Sequence, residues 1–202
     1  MNKQELLKLT VVLLSAFLLV LDINAQVTVR TEIGFPLGTD NDNIGFFVNI
    51  EPRVQVMKKA IAGVRIGVSV NSDIISLNQD RAYFIDPKDD NGLISLVPTF
   101  DYYLNEKKNR PFLGLGIGYC IFNDVDFTDR SNGDRNNLTV KTEDKVGMLI
   151  RGGLEIQNLR LCVEYNLVPE MDLKIPDGQT VGTIENSFVG ISLGYNFGQK
   201  DR

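Results

Sequence analysis

Ten charged residues share the polar face of alternating segments: Arg30, Glu32, Glu51, Arg53, Arg65, Asp101, Arg151, Glu155, Arg160 and Glu164. Half are arginines and half are carboxylates. Paired carboxylates can do general acid–base work when their surroundings set them to different protonation states. Here Glu155 and Glu164 each face an arginine, Arg160 and Arg151 respectively, which fits a structural ion-pair network better than proton transfer. The 202-residue chain has no His. That removes Ser-His-Asp and Cys-His nucleophiles and any His-containing zinc site. No catalytic residue, cofactor site or metal site is assigned.

Other candidate chemistry is weaker still. Asp86, Asp89 and Asp90, and then Asp124, Asp126, Asp129 and Asp134, form acidic clusters in loops. Carboxylates can hold Ca²⁺ or Mg²⁺, but neither cluster has EF-hand spacing, so solvated loop charge is the reading adopted. Gly114, Gly116 and Gly118 lie on one face of a strand and do not form a phosphate loop before a helix. Acidic loops disfavour nucleic acid. Cys120 and Cys162 fall on separated strands at different heights, so two free, buried thiols are expected.

The elements that position the ten charges are strands. From Val146 to Leu167, apolar and polar residues alternate on either side of a tight turn at Gln157 and Asn158. Folding about that turn sets Ile156 opposite Leu159, Glu155 opposite Arg160 and Arg151 opposite Glu164. A one-residue slip would move these side chains to the other face, so the register is well specified. Similar alternation runs through Val27 to Leu37, Ile44 to Met57, Ile61 to Asn71, Gly92 to Leu104, Pro111 to Asn123 and a last strand around Val189 to Phe197. Short turns lie at Lys58 to Ala60, Asn105 to Arg110 and Gln157 to Asn158. The connections at 39–43, 72–91, 124–144 and 169–185 are read as loops, three of them long. The expected fold is all-β: an eight-stranded antiparallel up-and-down barrel. Pro52 and Pro98 require a bulge or a lapse in pairing, because a closed barrel has no free edge.

Alternation alone does not say which face is inside. A soluble exported lipocalin-like barrel, with an apolar cavity for a small ligand, is the alternative. Three features favour an apolar exterior. The polar face uses Arg rather than Lys, apart from Lys145 at a strand end, and Arg suits enclosed bidentate pairing. It is rich in Gly, which makes room in a narrow barrel filled by its own side chains. Phe35, Phe46, Tyr102, Phe112, Tyr119, Tyr165, Tyr195 and Phe197 gather near strand ends on the apolar face, as interfacial girdles do. The long connections are all net acidic, and the turns Lys58-Lys59 and Asn105 to Arg110 are net basic. The net charge is thereby assigned to the two rims and none of it to the wall.

Lys3 and Lys8, the apolar run Leu9 to Leu21 and the site Ile23, Asn24, Ala25 resemble a cleavable secretory signal. The run is shorter than the roughly 20 residues of a membrane span. Residues 1–25 are therefore read as a signal peptide and 26–202 as the barrel. With its ending Leu193, Gly194, Tyr195, Asn196, Phe197, the mature chain resembles the small outer-membrane β-barrels of diderm bacteria, the OmpA/OmpX-type or "porin family" domains. The resemblance implies a transmembrane barrel in the bacterial outer membrane, in contact with outer-membrane lipids and lipopolysaccharide. It also implies insertion by the barrel-assembly machinery, a monomeric state and a structural or surface-interaction role. Outer-membrane lipid hydrolases and proteases rely on His, so the resemblance does not extend to them.

Overall fold

The computed structural model describes residues 27–37, 45–70, 74–77, 83–85, 92–122, 125–129, 136–140, 144–174 and 180–198. The signal segment and its boundary at residue 25 lie outside the described residues.

The strands are, in chain order, β1 (Val27–Leu37), β2 (Phe46–Met57), β3 (Ala60–Val70), β4 (Ile74–Leu77), β5 (Tyr83–Ile85), β6 (Gly92–Tyr103), β7 (Asn109–Phe122), β8 (Val125–Asp129), β9 (Asn136–Val140), β10 (Lys145–Ile156), β11 (Leu159–Leu167), β12 (Met171–Lys174), β13 (Thr180–Glu185) and β14 (Phe188–Phe197). Eight of them close a barrel in the order β1-β14-β11-β10-β7-β6-β3-β2. Every neighbouring pair is antiparallel, and β1 seals the cylinder against β14 from Val29↔Phe197 to Leu37↔Val189. Closure gives every wall strand a neighbour on both edges, so no wall strand is left as an open edge. The chain is thus an eight-stranded up-and-down barrel.

The β10–β11 hairpin has the register read from its alternation: Ile156↔Leu159, Glu155↔Arg160 and Arg151↔Glu164. Its turn is tight enough to force Gln157 to a φ of 54°, a left-handed conformation that side chains with a Cβ resist. The two prolines take the second of the two options. No bulge forms at either. The β2–β3 ladder steps from Ile50↔Ile66 to Arg53↔Gly63 in unchanged register, so pairing lapses on one side of Pro52. The β6–β7 ladder likewise steps from Leu96↔Tyr119 to Thr99↔Gly116 around Pro98. Among the described residues, the one shift in the wall lies between Gln55 and Met57, beside the Lys58-Lys59 turn.

The long connections depart from the sequence reading. They carry strands of their own, in two three-stranded sheets ordered β12-β13-β4 and β5-β8-β9. β4 follows β3 in the chain, yet it pairs with β13, which leads into β14. Backbone groups in these connections find donors and acceptors in one another. The acidic residues Asp86, Asp89, Asp90, Asp124 and Asp134 lie outside the described residues.

The wall is inside out relative to a soluble barrel. Leu161 and Val163 on β11 are 54% and 51% exposed on the outer surface, whereas Arg160, Cys162 and Glu164 between them are buried. The same pattern holds on β7, where Leu113, Leu115 and Ile117 face out. This excludes the lipocalin-like alternative, which needs the apolar set inside. Glycines on the inner face make room for the charges. At Gly114 a Cβ would overlap Asp101 Oδ1 and come within 3.0 Å of Arg151 Cγ.

Candidate functional site in the barrel lumen

All ten charged residues singled out from the sequence lie inside the barrel, and none is more than 3% exposed. Period two explains the location: each occupies an inward position of its strand, and the wall leaves no other route for an inward side chain. They form three groups along the barrel axis.

The central group joins Arg30, Arg151 and Arg160 to Glu32, Glu51 and Asp101. Arg151 holds Glu51 through both terminal nitrogens, Nη1 to Oε2 at 2.8 Å and Nη2 to Oε1 at 2.9 Å. Its Nε donates to Asp101 Oδ1 at 2.8 Å. Arg30 reaches the same two acids, Glu51 at 2.5 Å and Asp101 at 3.2 Å. Arg160 donates to Asp101 at 3.0 Å. Thr99 adds a hydroxyl donor to Glu51 at 2.8 Å. Glu32 is held differently. Arg30 Nε lies 3.0 Å and Arg160 Nε 3.2 Å from its Oε1, close enough for ion pairing. Neither approach has hydrogen-bond alignment, so among the described residues both Glu32 oxygens lack a hydrogen bond.

On the loop side, Arg65 and Glu164 form a bidentate pair at 3.0 and 2.7 Å, with Asn166 Nδ2 donating to the same carboxylate at 2.9 Å. On the turn side, Glu155 is shared. Arg110 donates to Oε1, and Tyr103 donates its hydroxyl to Oε2 at 2.7 Å. Arg53 lies 3.6 Å from the same oxygen and donates to the Tyr103 hydroxyl at 3.3 Å. Arg110 stacks 3.7 Å over the Tyr103 ring, and Arg160 stacks 3.4 Å over Phe112. Ring faces attract guanidinium, so the two aromatics serve as further partners.

Three features differ from the sequence reading. The facing residues Arg151 and Glu164 take separate ion-pair partners, and so do Glu155 and Arg160. Arg110 is a buried wall residue, 2% exposed, not part of an exposed turn, because β7 begins at Asn109. That puts a further cation inside and ends the expectation that the wall carries no net charge. Phe112, placed with the outer aromatics, is buried in the lumen. Phe35, Phe46, Tyr102, Tyr165, Tyr195 and Phe197 do face outward, and Tyr119 is half-buried.

Sequence reasoning also missed Phe47 and Tyr103 as lumen residues. Their positions alternate with known inward neighbours, Asn49 and Asp101, so parity alone could have placed them. Cys120 and Cys162 are both free and buried. They sit in separate apolar clusters, one with Leu93 and Val168 and the other with Ile61, Tyr103 and Phe112.

Buried charges are costly unless paired and hydrogen-bonded. An antiparallel up-and-down cylinder with an apolar wall and such charges at its centre is a transmembrane β-barrel, the one sheet architecture that satisfies every backbone group in lipid. No family model matches the chain, and no curated protein matches it. Among solved structures it is similar to the N-terminal β-barrel domain of Pseudomonas aeruginosa OprF, at 13% identity and a TM-score of 0.42, covering 86% of this chain and 100% of that one. It is similar to Neisserial surface protein A at 14% and 0.44, covering 86% and 96%. A major outer membrane protein from Thermus thermophilus matches at 13% and 0.46, covering 86% and 100%. The inside-out arrangement is read from this chain's own side chains, independently of these likenesses.

Proposed function

We propose that this chain is an integral protein of the bacterial outer membrane, with a lumen plugged by ion pairs and a structural or surface-interaction role in the envelope. It is neither a general porin nor an enzyme. One observation carries the plug: the ion pairs run between opposite walls. In the barrel order, β2 and β10 lie four strands apart round the cylinder, as do β3 and β11. The bonds Arg151–Glu51, Arg53–Glu155 and Arg65–Glu164 each span that distance. An eight-stranded barrel is just wide enough for side chains to fill it. Three crossings at different heights support a lumen without a continuous aqueous path.

On this reading the apolar belt contacts outer-membrane lipids and lipopolysaccharide, the barrel-assembly machinery inserts the chain, and the barrel acts as a monomer. The outward positions of Leu161, Val163 and Ile191 support the lipid contact. The absence of His supports the non-enzymatic reading. Cell fractionation combined with heat-modifiable gel mobility tests the location, with outer-membrane recovery expected. Planar-bilayer recording tests the plug. Sustained conductance at the level of a general porin would show an open lumen.

A further inference from the structure

Above the Arg65–Glu164 pair, on the loop side, the lumen holds a small cavity of about 30 Å³, room for roughly two water-sized groups. Its apolar lining includes Phe47, Leu93, Leu149 and Phe188. Its polar lining includes Asn49, Arg65 and Ser69, all three at least nine-tenths buried. Each carries a polar atom with no hydrogen-bond partner among the described residues: Asn49 Nδ2, Arg65 Nε and Ser69 Oγ. The first two can only donate, and the third can donate. Their backbones are neighbours, since Asn49 is the Cα partner of Gly67 and Arg65 and Ser69 flank Gly67 on β3. A set of unpartnered donors around one enclosed space calls for an acceptor.

We propose that this cavity binds a small monoanion, a carboxylate or a halide, through Asn49 Nδ2, Arg65 Nε and Ser69 Oγ. Donor chemistry favours the anion: three unpartnered donors, one of them on a guanidinium, have no hydrogen-bond acceptor among the described residues. Geometry limits the anion to a single charge. Arg65 spends both terminal nitrogens on Glu164, and only its Nε edge is left for a ligand. Glu164 lies just beyond that guanidinium and would repel a dianion. Apolar walls strengthen the donors by excluding competing water.

The test uses the full mature chain, folded in detergent micelles and checked by heat-modifiable mobility. Sodium acetate, sodium bromide and neutral acetamide are titrated separately at constant ionic strength, with gluconate as the bulky balancing anion. The readout is the ¹⁵N–¹H shift of Arg65 Nε and Asn49 Nδ2. Saturable shifts with acetate or bromide, and none with acetamide, are expected; the two anion arms tell a carboxylate site from a halide-accepting one. Ser69→Ala, which keeps the wall intact, is expected to weaken the apparent affinity roughly three- to tenfold, the worth of one hydrogen bond. Shifts that rise without saturating, an equal response to acetamide, or an affinity unchanged in Ser69→Ala would each overturn the proposal and leave the cavity to water.

Discussion

Arg151 and Glu164 are Cα partners on adjacent strands, yet their side chains part company. Arg151 crosses the lumen to Glu51 and Asp101, and Glu164 is held from the opposite wall by Arg65. On this hairpin, neighbours on the ladder are therefore not partners in charge, whereas Arg30–Glu51 on β1–β2 and Arg110–Glu155 on β7–β10 are both. In a narrow closed barrel, inward arginines are long enough to reach the far wall, and bidentate geometry is available there.

Removing Arg151 separates these two relationships. Arg151→Ala leaves the buried Glu51 and Asp101 each short of donors. A loss of about 3 kcal/mol in folding stability is expected, whereas Lys107→Ala on an exposed turn stays within about 0.5 kcal/mol. A double-mutant cycle measured by urea unfolding in lipid vesicles sharpens the point. Arg151 with Glu51 gives a coupling above about 1 kcal/mol, and Arg151 with Glu164 gives much less. Equal couplings would place the arginine on the wrong acid.

The outer wall is tested at Val163, which sits at the centre of β11 and is 51% exposed. Val163→Arg puts a charge at mid-bilayer depth and is expected to cost about 2–4 kcal/mol of insertion free energy. Folding yield into vesicles measures it. Arginine at Phe197, at the end of β14, is expected to cost less, about 0–1 kcal/mol, because interfacial positions tolerate charge.

Gly114 faces Asp101 and Arg151 so closely that any side chain displaces them. Gly114→Val is expected to destabilise by about 1–3 kcal/mol through overpacking. Paired with Asp101→Ala, which removes the obstructing carboxylate, the glycine substitution should cost less than it does alone. Thermal unfolding of the four variants of that cycle decides.

Gln157 is the one described non-glycine residue with a positive φ, at 54°. A left-handed conformation costs a residue with a Cβ roughly 1–2 kcal/mol, and glycine is free of it. Gln157→Gly is therefore expected to be neutral or stabilising by up to about 1 kcal/mol, despite the entropy glycine adds to the unfolded chain. Asn158→Gly, at a position without a positive φ, is expected to be neutral or destabilising by the same assay.

Much of this molecule was legible from period-two alternation. The β10–β11 register, the eight wall strands and the inward set of ten charges all follow from parity and from the use of Arg without Lys. Three kinds of information were not legible. The first is which acid each arginine takes, because that depends on how the sheet closes and which strands end up opposite. The second concerns positions where hydrophobicity and parity disagree. Phe112 has the parity of Gly114 and Gly116, but its apolar character argued for the outside. Arg110 shares that parity, but its neighbours Lys107 and Lys108 argued for a turn. In both cases parity won, since a strand cannot rotate one residue alone. The small sheets at the loop rim were hidden for a different reason. β5 spans only Tyr83–Ile85, too short to show a period.

The crossings also govern how the barrel comes together. Arg65 and Glu164 are 99 positions apart in the chain, and Arg151 and Glu51 are 100 apart. No hairpin forming on its own can bring such residues into contact. The guanidinium groups of these cross-lumen pairs complete their desolvation only when the β1–β14 seam is nearly shut, together with their acids. Desolvation of the cross-lumen pairs and closure thus fall at the end of assembly as one cooperative event, while a half-zipped sheet has only ladder pairs such as Arg30–Glu51 and Arg110–Glu155 to draw on.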